Sequence, residues 1–152
     1  MKFLMSIFAV VVLSNQCGPI NKDVTNTGHS ELYQKVVSIA YVIQSRGVYE
    51  KVWVDQHNLY VVDNRDQKNV KSTAILKQDW EELLVLVGNL NLNILPDLKA
   101  PSEKRFSDGA PIGSLTIKTD QGEVQSSEFD HGNPPEQLKT ILNKLLSIKE
   151  KL

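Results

Sequence analysis

One cysteine, Cys17, stands in 152 residues, so no internal disulfide can staple this chain. Three histidines scattered along the chain and no second cysteine argue against a closed transition-metal site. No Gly-x-Ser-x-Gly elbow, His-Glu-x-x-His pair, phosphate loop or dinucleotide fingerprint occurs, which removes the commonest hydrolase, metalloprotease and nucleotide-binding signatures. An excess of either charge is lacking too: the formal net charge is −1, without the basic stripe of a nucleic-acid binder. There is no internal repeat and no low-complexity tract. No cofactor and no metal are expected.

What is present begins at the N-terminus. Lys2 is followed by an uncharged, mostly apolar run from Phe3 to Leu13, then Ser14-Asn15-Gln16 and Cys17. A cationic start, a short apolar core and small or polar residues before a processing point make an export signal. The run falls well short of the roughly 20 residues that span a bilayer as a helix. A cysteine directly after such a run resembles a bacterial lipoprotein signal, in which the cysteine is acylated and becomes the new N-terminus. Ser14 and Gln16 stand three and one before the cysteine, where the usual box has an aliphatic and a small residue. Ordinary cleavage between Ser14 and Gly18, or an uncleaved N-terminal anchor, are the other readings. The expectation is residues 1–16 as signal peptide, 17–33 as lipidated Cys17 and tether, and 34–152 as one domain at the cell envelope. The tether is polar and rich in Gly, Pro, Asn and Thr.

Periodicity then divides the domain. Alternation over Val36–Ile43 predicts a strand with Val37, Ile39, Tyr41 and Ile43 on one face. Val48–Val54, Leu59–Asp63 and Val70–Ile75 read as further strands, the last a polar sheet edge. Trp80, Leu83, Leu84 and Val87 fall at helical spacing, with Asp79, Glu81 and Glu82 placed to favour the helix dipole. The stretch 90–111 has no clear period; Leu95 and Leu98 are expected to pin it to the core. Such long connections are often functional. Ile112–Thr119 and Glu123–Phe129 read as a hairpin. In the last helix Asn133 is the expected N-cap, Pro134 the first residue and Glu136 the capping-box partner. Leu138, Ile141, Leu142, Leu145 and Ile148 form its apolar stripe. The result is an α+β domain, β-β-β-β-α-β-β-α: an antiparallel sheet of about six strands with two helices on one face. Two smaller sheets are the alternative.

Three stretches bear chemistry. Asp130 and His131 are an acid/base pair or a partial metal site at a strand-to-helix corner, or else a turn former beside a loop residue, since neighbours on a strand point to opposite faces. Arg105 and Asp108 suit a carboxylate or sugar hydroxyl, or else tie their loop to itself. Arg46 and Tyr49, on an aromatic and charged surface with Trp53, suit a partner-binding face, or are ordinary surface and half-buried residues. Arg46–Trp53, Leu95–Pro101 and Phe129–Pro135 together resemble small uncharacterised lipoproteins of flavobacteria and other Bacteroidota, a resemblance that implies an envelope location and carries no activity. The reading is a non-enzymatic binding or structural module on a lipid anchor. Its candidate residues are Arg46, Tyr49, Arg105, Asp108, Asp130 and His131, and its partner is an envelope protein or small ligand. The alternative is a small hydrolase or transferase using Asp130 or His131, which calls for a concave pocket holding His131 beside a second titratable group.

Overall fold

The structure, a computed structural model, describes residues 36–151. The signal segment, Cys17, the tether, residues 34 and 35 and Leu152 lie outside them. Seven strands form one antiparallel sheet: β1 (Val36–Gln44), β2 (Tyr49–Val54), β3 (Asn58–Val62), β4 (Lys71–Ala74), β5 (Ile112–Thr119), β6 (Gly122–Gln125) and β7 (Phe129–Asp130). Their order is β4-β3-β2-β1-β5-β6, with β7 on the same side of β5 as β6. Two helices, α1 (Lys77–Gly88) and α2 (Glu136–Lys149), complete an α+β domain. The sheet is continuous, so the alternative of two smaller sheets does not arise.

Period-two alternation gives the sheet one dry face. Ile39, Tyr41, Val52, Val54, Leu59, Leu115 and Ile117 are buried and sit opposite one another across the ladders. Trp80, Leu83 and Val87 of α1 join them, as do all five apolar residues expected on α2. Both helices therefore cover the same face. The other face carries Ser38, Ala40, Lys51, Trp53, Ser114 and Thr116, which line an open trough. Every residue of β4 is exposed, as an edge strand tolerates.

Three local expectations change. A register shift between Val36 and Ser38 turns Val36 inward, 8 % exposed, and Val37 outward, 47 % exposed. A bulge adds one residue to the strand and so inverts the alternation before it. The last strand is broken in two because Ser126 and Ser127 leave the ladder. The Ser126 hydroxyl accepts from the Leu115 amide, while the Ser127 amide and hydroxyl donate to the Leu95 and Leu98 carbonyls. That anchorage holds a 3-10 helix, Leu92–Asp97, and Leu95 and Leu98 are buried as expected. Asn133 is not the cap of α2: the helix starts at Glu136, Pro135 precedes it, and no side chain caps it. Asp79 stands in the first turn of α1, as expected, and is buried there, where Lys144 and Lys151 of the C-terminal region pair with it.

Candidate functional site

The long connection between α1 and β5 positions the site. After the first 3-10 helix it forms a second, Lys104–Ser107, whose own N-cap residue Glu103 makes no side-chain cap. The cap comes instead from Asp130, 1 % exposed, at the far end of β7. Its Oδ2 accepts from the Ser102 hydroxyl (2.6 Å) and the Lys104 amide (2.8 Å). Its Oδ1 accepts from the Arg105 amide (2.9 Å) and from Arg105 Nη1 (3.2 Å). Burial pushes this carboxyl up, but the bonds from Ser102, the Arg105 and Lys104 amides and the Arg105 guanidinium outweigh it. They hold Asp130 well below the usual carboxylate range. Asn133 turns its amide to Ser102 (2.7 Å), which extends the same network.

Arg105 is thereby fixed. Its side chain is 9 % exposed, Nη1 also donates to the Ser102 carbonyl (2.7 Å), and Cζ lies over the Phe106 ring, 4.2 Å from its centroid. Both of its side-chain hydrogen bonds among the described residues leave from Nη1, and the buried Nε–H has no acceptor. A buried donor without an acceptor costs about 1–3 kcal/mol and is rare in native proteins.

Arg105 forms part of the wall of a cleft of about 300 Å³ shared with Gln44, Ser45, Arg46, Arg65, Asp108, Ala110 and Ile112. Arg46, in the β1–β2 turn, faces Asp108 at 3.7 Å, both largely in solvent. Asp108 ends the second 3-10 helix in a left-handed conformation, φ 56°, which aspartate tolerates better than most residues. Arg65 crosses from the reversal after β3, donating to the Gln44 side chain (3.3 Å) and the Ser45 carbonyl. Tyr49 does not face the cleft; its ring lies under the Arg65 guanidinium at 5.7 Å. Three guanidiniums thus meet two carboxylates, those of Asp108 and the buried Asp130. Arg65 has only neutral acceptors among the described residues, so the cleft is cationic.

His131 sits on the other side of the same corner. Its Nδ1 lies 2.8 Å from the Tyr41 hydroxyl, on the dry face of the sheet. Burial lowers the imidazole, Glu50 opposes this, and Lys149 adds to it. Burial raises the Tyr41 phenol well above its usual range, with Glu50 contributing. The principal clefts among the described residues are lined by other side chains than His131. Asp130 and His131 therefore face different neighbours.

The segments around Arg46, Arg105 and Asp130 do meet at one end of the sheet, and Tyr49 joins them through Arg65. Sequence reasoning missed Arg65, Ser102 and Tyr41. Arg65 stands in a polar reversal, where nothing separates a cleft-lining arginine from a solvated one. Among the described residues no group of three or more His, Cys, Asp or Glu side chains is arranged for a metal ion. A scan of protein-family models finds no match to the chain, and a search of curated proteins finds none.

Proposed function

We propose that this chain is a non-enzymatic binding module, held at the cell envelope by acylation of Cys17, that takes its ligand in the arginine-lined cleft. The proposal includes kinship with the small lipoproteins of the Bacteroidota. The observation that carries the binding reading is the convergence of Arg46, Arg65 and Arg105, from three separate connections, on one cleft. Long surface connections held by a rigid scaffold are where binding residues concentrate.

Catalysis by Asp130 has less support. Its oxygens already accept four hydrogen bonds, and it stays ionised far below neutral pH, so it has no proton to exchange near pH 7. His131 has a titratable neighbour in Tyr41, but the principal clefts among the described residues are lined by other side chains.

Two measurements test the reading. Fatty-acid labelling is expected in the wild type and lost in Cys17→Ala; label in neither rejects the anchor. Backbone amide shifts are recorded against a panel of sugars, peptides and small acids. Changes are expected to cluster at Ser45, Arg46, Arg65, Arg105 and Asp108. Changes confined to another surface reject the cleft.

A further inference from the structure

The sheet face turned away from the helices holds a trough of about 440 Å³. Short side chains of the two central strands make its floor: Ser38, Ala40 and Val42 of β1, Ser114 and Thr116 of β5. Longer ones from the flanking strands make its walls: Lys51 and Trp53 of β2, Glu123 and Gln125 of β6. The register sets them in rows, with Trp53 beside Ala40, Ala40 beside Thr116, and Thr116 beside Gln125. Three strand spacings, about 14 Å, separate the backbones of the two walls. We propose that this trough binds a linear, uncharged oligosaccharide, with one sugar unit against Trp53 and its hydroxyls bonded to the floor and to Gln125. This site goes beyond the arginine cleft and does not rest on it, although Gln44 borders both.

Three observations select that ligand. First, the trough is rich in hydroxyls and amides but nearly balanced in charge, since Lys51 and Lys118 stand with Glu123. That lining offers a hydroxylated ligand both donors and acceptors and gives a polyion no field to follow. Ser114 is 6 % exposed on the floor. Its hydroxyl, like that of Thr116 and the Gln125 amide, makes no hydrogen bond among the described residues. Second, Trp53 is a preorganised wall. Its ring stacks on Tyr60 (5.0 Å, 11°), and the Tyr60 hydroxyl donates to Asp55 Oδ2 at 3.0 Å, so little rotamer freedom is lost when a ligand arrives. A pyranose carries C–H bonds on its faces and hydroxyls on its rim, which suits an aromatic wall beside a polar floor. Lys51 Nζ stands 5.1 Å from the centre of the Trp53 ring. Such a contact is weak outside the core, and the ammonium can turn to a sugar hydroxyl. Third, β1 is paired on both sides, with β2 and with β5, so an extended peptide finds no free strand edge in the trough. Ala40, Val42 and the indole are its apolar surface, too little to seat the apolar stripe of a helix.

The test follows signals from the trough itself. The whole chain, ¹⁵N-labelled in micelles of a non-ionic detergent without a sugar headgroup, is titrated with chitotetraose, cellotetraose and maltotetraose, and separately with tetraalanine. The Trp53 indole N–H and the amides of Ala40, Ser114, Thr116 and Gln125 are expected to move saturably with at least one sugar. Trp53→Ala weakens that binding about tenfold or more, the size of one good contact. Ala40→Leu fills the floor from the solvent side of the sheet and abolishes binding, while its unfolding midpoint holds. Should Trp53→Ala lose the fold, Ala40→Leu decides alone. The proposal is overturned if no sugar moves these signals, if only tetraalanine does, or if either variant, folded, binds like the wild type. A sugar that moves Ser45, Arg46 and Arg65 and leaves the trough still overturns it and keeps the cleft reading. One that moves the trough alone supports it and counts against the cleft.

Discussion

A Cβ on Gly113 would lie 2.8 Å from both the Phe129 ring and the Tyr41 hydroxyl, so β5 needs a glycine where these two rings stack across it. Gly113→Ala is expected to cost about 1–3 kcal/mol, as overpacking of a filled core does, measured by urea unfolding. An unchanged midpoint would show that the rings have room to move. Asp130 is the other residue on which the corner turns. Its role was not legible in the sequence, because its partners Ser102, Lys104 and Arg105 stand 25 to 28 positions away. A carboxylate capping a distant 3-10 helix leaves no local pattern, whereas a capping box does. Arg105 was legible only as a charged residue in a long connection; that Nε would be orphaned depends on packing.

Among the elements, alternation and helical spacing were enough to locate the strands and helices, because burial on one face imposes those periods. Where a local device broke the period, the pattern misled. The β1 bulge is one case, and it is testable. Val36→Ser should cost on the order of 1.5 kcal/mol or more, the loss of a buried valine. Val37→Ser should stay within about 0.5 kcal/mol, as at an exposed site. Without the bulge the order would reverse. The apolar stripe of α2 needed no correction. Leu145, fully buried, should cost about 2–5 kcal/mol on truncation to Ala, read from thermal or urea unfolding. Asn133 had every local mark of an N-cap, yet its amide serves Ser102 instead. A tertiary hydrogen bond overrode a local preference.

For the whole molecule, the ionisable groups set a pH profile. His131 is lowered in the folded state by burial. Its contribution to stability is therefore present above the unfolded value, about 6.5, and declines as pH falls below it. Asp79, lowered by Lys144 and Lys151, and Asp130, lowered by its four donors against the opposing effect of burial, contribute above the unfolded carboxyl value, about 3.9, and lose that contribution as pH falls further. Lys144 is raised by Asp79 and Glu82, so its share is intact below about pH 10 and fades above it. Thermal unfolding against pH should show a shallow decline below about 6.5 and a steeper one below about 4. His131→Gln should remove only the first. A single acid transition that this variant leaves unchanged would mean that His131 is not held neutral by the fold.

The claim that joins these scales is that turns distant in sequence form one ligand site. Its most direct test is the affinity of Arg46→Ala, Arg65→Ala and the double variant for the member of the sugar, peptide and small-acid panel that shifts the amides of Ser45, Arg46 and Asp108, with unfolding midpoints recorded in parallel. The account predicts that each single change weakens the same binding event, that the double change weakens it further, and that the midpoints hold. Affinity equal in all four proteins, or lost only in step with stability, would contradict it.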